Sequence, residues 1–200
     1  MPPFAEADLL ADPVELFARW YELALERVPL ADAVCLATVD EGGAPDARMV
    51  LLKGFGAEGF RFFTNERSAK GLQLEARPEA ALVVFWRELD RQVRIRGAVE
   101  RLDEDASDEY FASRPRESRI GAWASPQSSP IADRAELDRL LAEVEAMHEG
   151  EGEVPRPLHW GGYRVVPASI EFWQGQLGRL HDRFRYRREG DGWRAERLAP

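Results

Sequence analysis

From Ala33 to Arg101 the chain is written in short β-branched and aromatic runs broken by glycines, and this texture limits the fold more than any other feature. V-C-L-A-T-V ends at Val39, R-M-V-L-L-K-G-F begins at Arg48, and F-R-F-F-T begins at Phe60. Gly42-Gly43 and the stretch from Gly56 to Gly59 supply turns, because glycine closes a hairpin without steric cost. A-A-L-V-V-F-W, ending at Trp86, reads as a buried strand. Gln92 to Arg101 alternates Val93, Ile95 and Val99 against Arg94 and Arg96, the period-two pattern of a strand with one face inward. An antiparallel meander is expected.

Helices frame it. Asp12-Pro13 is a helix start, with Leu16, Phe17, Trp20, Tyr21 and Ala24 following at helical spacing. Ser68 is expected to cap a short helix ending near Pro78. Asp103 to Ser113 and Ala132 to His148 read as helices, the second with Leu137, Leu140, Leu141 and Val144 on one stripe. Strands return at Tyr163 to Val166, Ile170 to Trp173, Phe184 to Arg188 and Trp193 to Leu198, the last pair turned by Gly190-Asp191-Gly192. About eight strands with peripheral helices point to a fold that is α+β, mainly β, and either a closed or a split barrel. Glu149 to Glu153 reads as a solvated loop. With 200 residues and no linker, one domain over 1–200 is expected, with 1–11 as a flexible N-terminus.

Composition then removes function classes. Lys+Arg number 27 against 36 Asp+Glu, a net charge of −9, which disfavours general affinity for nucleic acid or an anionic membrane. Any bound anion has to be held by a local cluster. Cys35 is the only cysteine, so no intrachain disulfide forms, and a small buried hydrophobe is expected there. His148, His159 and His181 are scattered and no metal is expected. The first residues lack a basic segment and no apolar run approaches a membrane span, so a soluble, cytoplasmic protein is expected.

Only two of the 27 cations, Lys53 and Lys70, are lysines. An ammonium is a point charge where guanidinium is a planar fork, so a site selecting lysine in an arginine-rich chain is a candidate for phosphate contact. Lys53 closes the run from Arg48. Lys70 follows Thr64, Arg67 and Ser68 at a strand-to-helix junction, where a helix N-terminus favours anions. Solvated strand ends are the other reading. Tyr110, Arg114 and Ser118 recur at four-residue spacing and could form a second phosphate pocket, although Pro115 disfavours helix at Arg114 and leaves Ser118 to cap whatever follows. Taken alone, a solvated helix exit is the simpler account of them. Trp173, Arg179, His181 and Arg183 gather on a strand and the loop after it, and loops on a rigid sheet are where function concentrates.

Taken in order, R-M-V-L-L-K, F-F-T-N, L-D-R-Q-V, Y-F-A-S-R-P-R-E-S, I-G-A-W-A-S-P-Q-S-S, W-G-G-Y-R-V, E-F-W-Q-G, R-L-H-D-R-F and the terminal R-L-A-P resemble the pyridoxine/pyridoxamine 5′-phosphate oxidases over nearly the whole chain from Asp12. The resemblance implies an antiparallel split β-barrel with peripheral helices, a homodimer, and FMN at the subunit interface. It also implies a phosphorylated pyridine substrate oxidised to pyridoxal 5′-phosphate, with dioxygen as acceptor and hydrogen peroxide as by-product. On the matching positions, the implied FMN contacts are Arg48, Met49, Val50, Leu51, Phe63, Thr64, Lys70, Gln92, Gln127, Ser128, Trp173 and Arg183. Lys53, Tyr110, Arg114 and Ser118 fall on the substrate-phosphate grip. Arg179 and His181 fall on the catalytic pair against the substrate ring.

Three departures stand out. Ala69 occupies a position where the family usually has arginine, and Arg67 is the expected replacement on the FMN phosphate. The N-terminus is short, which puts a lid over the substrate in doubt. Gln176 stands where the family has a second glycine after W-Q-G. The alternative functions are a phenazine-biosynthesis-type flavin oxidase, which needs no second phosphate pocket, and a non-catalytic flavin or pyridoxal-phosphate carrier.

Overall fold

A computed structural model describes residues 3–150 and 152–200. Among the described residues nine strands form one antiparallel sheet in the order β2-β1-β5-β6-β7-β4-β3, with β8 added to β7 and β9 to β8. They are β1 Ala33–Val39, β2 Pro45–Leu51, β3 Gly54–Gly56, β4 Gly59–Asn65, β5 Glu79–Trp86, β6 Arg91–Arg101, β7 Trp160–Gln174, β8 Asp182–Glu189 and β9 Gly192–Arg197. Five helices surround it: α1 Pro13–Arg27, α2 Ala69–Ala76, α3 Glu104–Ser113, α4 Arg116–Ala124 and α5 Arg134–Met147. The fold is the expected α+β, mainly β split barrel.

The alternating positions of β1 and β6 send Val34, Leu36, Val93, Ile95 and Val99 inward, all buried. α1 starts where the sequence places it: Pro13 is its first residue and the Asp12 carboxylate accepts from Val14 N–H at 2.8 Å. Its buried face carries Leu16, Phe17, Trp20 and Ala24 onto the sheet. Phe17 meets Phe60 edge-on at 5.0 Å and Phe55 at 4.8 Å, arrangements favoured by the ring quadrupole.

Four expectations change. The two tail strands at Tyr163 and Ile170 are one 15-residue strand, β7, running through Pro167. Its pairing with β6 shifts register between Arg96 and Gly97, so the proline sits beside a bulge, a place where strands tolerate it. A Cβ at Gly97 would lie 1.8 Å from the Val166 carbonyl, which is why this tight crossing carries glycine. Second, Arg114 is extended before Pro115 as expected, but Pro115 and not Ser118 stands at the cap of α4, and Ser118 lies inside that helix. Third, Cys35 is half-buried on the outer face of β1, opposite Met49 and Val83, rather than in the core.

The fourth is the N-terminus. Met1 and Pro2 lie outside the described residues; within the rest of the segment expected to be flexible, Pro3, Glu6, Ala7, Asp8 and Ala11 are exposed but Phe4 is anchored. Phe4 is buried against Trp20 and Phe184, and its N–H donates to Asp182 Oδ2 at 3.1 Å. The Glu149 to Glu153 loop is exposed at its described residues. No helix among the described residues is long and apolar enough to cross a membrane.

Candidate functional site

β2, β4, the start of α2 and the α3–α4 corner enclose a hollow of about 590 Å³. Met49, Val50, Leu51, Lys53, Phe63, Thr64, Lys70, Tyr110, Arg114, Ser118 and Gln127 all line it. Residues separated by up to 78 positions are thereby brought to one place.

One end is built around Lys70. Ser68 caps α2, its hydroxyl accepting from Gly71 N–H at 3.4 Å and donating to the Asn65 carbonyl at 2.6 Å. That turn sets Lys70 inside, 8% exposed. Its ammonium donates to Ser68 Oγ at 3.2 Å and Gln127 Oε1 at 3.3 Å, and the Thr64 hydroxyl donates to the same Gln127 oxygen at 3.2 Å. Among the described residues no carboxylate pairs with Lys70; Asp46 pairs with Arg48 instead. Desolvation first, and the nearby Arg48 charge second, hold the Lys70 pKa below the ordinary lysine value. A buried cation surrounded by neutral oxygens is a receptor for an anion.

Arg48 itself does not line the hollow. Its guanidinium is engaged behind Lys70, donating to Thr38 Oγ1 at 2.5 Å and Gln73 Oε1 at 2.9 Å and pairing with Asp46.

The other end is aromatic and cationic. Phe63 stacks on Tyr110 at 4.0 Å and on Trp160 at 5.5 Å. Arg114 lies over the Trp160 ring at 4.9 Å, a placement that uses the negative face of the indole. Its Nη1 is buried without a hydrogen-bond partner, and burial lowers its pKa. Guanidinium remains charged at that site, so the orphaned donor is directed at something the chain does not provide. Lys53 completes this end but is already paired with Asp32 at 2.7 Å. Ser118, one turn into α4, is exposed at the rim.

Not every expected contact converges here. Arg67 is exposed and borders a neighbouring hollow with Glu66, Glu75, Arg101 and Tyr163. The Asn65 side chain accepts from Arg67 N–H at 2.8 Å, and this turn sends the residue to the other side of the junction. The structure therefore does not place Arg67 as the replacement for the arginine missing at Ala69. Arg67→Ala is expected to retain flavin within about twofold of the parent, the usual margin of a surface substitution, on dialysis followed by absorbance. Ser128 is exposed beside Gln127 with a left-handed backbone, φ 71°, and does not line the hollow.

Gln92, Trp173 and Arg183 form a second cluster. They are cross-strand neighbours on β6, β7 and β8. Arg183 donates to Glu171 Oε1 through Nε at 3.1 Å and Nη2 at 2.7 Å. His181 packs on Trp173 with centroids 4.6 Å apart, and Arg179 stands exposed in the turn before it. Thr64 of the hollow pairs with Gly161 near the start of β7, whereas Trp173 stands twelve residues further along that strand, up to roughly 40 Å of extended chain. One chain therefore does not bring the two clusters together. The outer face of the sheet carries Met49, Leu51 and Phe85, which are 62%, 44% and 53% exposed. Large apolar side chains left exposed on a sheet mark a surface made to be covered.

Sequence reasoning missed Trp160, Asn65 and Ser125 as lining residues and Asp32 as the Lys53 partner. Trp160 had a signal, in W-G-G-Y-R-V; Asp32 had none.

Comparison with known proteins gives these features a context. Residues 22–148 match the family described as pyridoxamine 5′-phosphate oxidase, and residues 160–200 match the pyridoxine 5′-phosphate oxidase C-terminal dimerisation region. A pyridoxine/pyridoxamine 5′-phosphate oxidase of Thermosynechococcus vestitus is 56% identical over 98% of this chain and 92% of its own length. The structure of PhzG from Burkholderia lata in complex with tetrahydrophenazine-1-carboxylic acid superposes with a TM-score of 0.92 at 32% identity, covering 100% of this chain and 98% of that one. A pyridoxamine 5′-phosphate oxidase-related, FMN binding protein of Nostoc punctiforme shares the fold, with a TM-score of 0.76 at 18% identity over 96% of this chain and all of that one.

Proposed function

The chain belongs to the pyridoxamine 5′-phosphate oxidase family, and from that premise we propose that it converts pyridoxine and pyridoxamine 5′-phosphates to pyridoxal 5′-phosphate with FMN held between two copies of the chain. The observation that carries this reading is one hollow with two desolvated cationic ends: Lys70 without a carboxylate, and Arg114 with an orphaned buried Nη1. Two phosphate esters, one of the cofactor and one of the substrate, match two such ends. Lys70, Ser68, Thr64 and Gln127 would hold the FMN phosphate. Arg114, Lys53, Tyr110 and Ser118 would hold that of the substrate, with Lys53 shared between the ester and Asp32.

Bound FMN supplies a hydride acceptor for the substrate's 4′ carbon and an electron route to dioxygen, which leaves as hydrogen peroxide. The protein's part is orientation. Phosphate anchoring at Arg114 and Lys53 fixes the far end of the pyridine, so that the reacting carbon is presented in one geometry and the entropy of alignment is met on binding. The second cluster supports a site completed by a partner, because two of its three strands, β7 and β8, lie within the family's dimerisation region and exposed apolar side chains lie near it. In a symmetric pair the Trp173, Arg179, His181 and Arg183 group of each copy would cover the hollow of the other. Arg179 and His181 then meet the substrate ring from the partner side.

The primary test mixes FMN-loaded protein with pyridoxine 5′-phosphate under nitrogen. Flavin bleaching, then reoxidation in air with pyridoxal 5′-phosphate formed, is the expected result; a flavin that stays yellow with both phosphorylated substrates would overturn the assignment. Arg179→Ala is expected to lower kcat by on the order of 10- to 100-fold with FMN still bound, as for loss of one charge-assisted contact. Sharing is tested by co-expressing Lys53→Ala and Arg179→Ala chains with different tags. A partner-completed site predicts that the mixed dimer recovers one intact site, whereas a site within one chain predicts no recovery. The phenazine-type reading is less well supported, since Lys53, Tyr110, Arg114 and Ser118 would have no phosphate to hold.

A further inference from the structure

The loop joining β7 to β8 carries Arg179 and His181, yet most of it touches nothing. Leu177 and Leu180 are 95% and 73% exposed, and Gly178 and Arg179 both take left-handed backbones, φ 68° and 62°. The loop's backbone is tied at its start by Gly175 N–H, which donates to the Asp90 carbonyl at 2.8 Å, and its two hydrogen bonds that involve side chains both start at Gln176. Its backbone N–H donates to His181 Nδ1 at 3.1 Å, and its side-chain Nε2 donates to Asp182 Oδ2 at 2.9 Å. Asp182 is a fixed post: it also accepts from Phe4 N–H at 3.1 Å and from Arg197 Nη1 at 2.8 Å. Burial alone would raise its pKa, but the hydrogen bonds from Arg197, Phe4 and Gln176 outweigh that and keep it a carboxylate.

A ring nitrogen that accepts a hydrogen bond cannot carry the proton, so neutral His181 has its proton on Nε2. The ring is set at the same time, its face against Trp173. We propose that Gln176 is a positioning residue: by clasping Asp182 it holds its own N–H on His181 Nδ1, so that the histidine presents a single Nε2–H donor to the substrate. The inference rests on the proposed role of His181, and it is specific to this chain, where glutamine replaces a glycine that has no side chain to reach Asp182. The clasp also gives the anchored N-terminus a task, since Phe4 helps fix the carboxylate that receives the glutamine.

The test reads the tautomer directly. In ¹⁵N-labelled, FMN-loaded protein, long-range proton–nitrogen spectra distinguish protonated from bare ring nitrogens, with His181 assigned from the signal lost in His181→Asn. The parent is expected to show bare Nδ1 and protonated Nε2. Gln176→Gly, and Gln176→Glu as the same-sized residue without a donor, are expected to give averaged shifts and a several-fold lower kcat with unchanged flavin content and little change in KM. Either a parent with protonated Nδ1 or variants keeping the parent pattern would overturn the proposal. Because the nitrogen shifts do not depend on turnover, a parent with the expected tautomer but no oxidase activity would count against the proposed function alone.

Discussion

Arg114→Ala raises KM for pyridoxine 5′-phosphate by on the order of 10- to 100-fold while flavin content and the pH-independent stability stay near those of the parent. The magnitude follows from losing a charge-assisted hydrogen bond to phosphate, about 1.5–3 kcal/mol, where about 1.4 kcal/mol is tenfold. Stability changes little because the substitution has opposing effects. It removes packing over Trp160 and Phe111, but it also removes a desolvated guanidinium with an orphaned Nη1. Arg114→Lys does not restore the parent, since an ammonium neither stacks on the indole nor reaches phosphate with two parallel donors. Steady-state kinetics with both phosphorylated substrates, beside a thermal melt, decide the matter. A normal KM would remove the substrate-phosphate assignment from this end of the hollow.

The contrast between Arg114 and Arg67 shows how far local sequence reaches. Both are arginines near helix starts in short motifs, and neither has a periodicity that says where its side chain ends. Arg114 faces the hollow because Pro115 breaks the chain between α3 and α4 and the indole of Trp160, 46 positions away, lies beneath it. Arg67 faces away because one Asn65 hydrogen bond turns the junction. Strands with a strict alternation, such as β6, are readable because burial on one face leaves a period-two record. β7 was divided in two by Pro167, since a bulge that tolerates proline is a property of the pair of strands and not of either one. Phe4 was missed for a related reason. A single aromatic among proline, alanine and acidic residues has no period, and its burial is decided by Trp20 and Phe184.

The separation of the two clusters has the same origin. Trp173 and Arg183 are expected beside Met49 and Thr64 from the resemblance, yet in one chain Thr64 pairs with Gly161 near the start of β7 while Trp173 and its partner Arg183 lie near that strand's far end. A linear motif records which residues meet a ligand and is silent on which copy supplies them. Met49 and Leu51 on β2 and Phe85 on β5 leave large apolar side chains uncovered in the single chain.

Lys70→Met has opposite effects on the apoprotein and the holoprotein, and that opposition is its diagnostic value. Burial keeps the folded-state pKa of Lys70 below its ordinary 10.5. Between those two values the unfolded chain binds more protons, so unfolding becomes harder as pH rises through the window. Below the folded pKa the full penalty of the buried charge is present. Methionine of similar length removes that penalty, so the apo variant is expected to melt above the parent near about pH 8, with the difference shrinking as pH climbs toward the ordinary lysine value of about 10.4. With FMN the order reverses. Loss of the ammonium beside Ser68, Thr64 and Gln127 is expected to weaken FMN binding by about 10- to 100-fold, the range of a charge-assisted hydrogen bond, and the melting gain on FMN addition falls with it. Melts of both proteins with and without FMN, across pH, separate the cases. An apo variant less stable than its parent would mean that the hydrogen bonds to Ser68 and Gln127 outweigh the desolvation of the buried charge, and unchanged FMN retention would remove the lysine from the cofactor site.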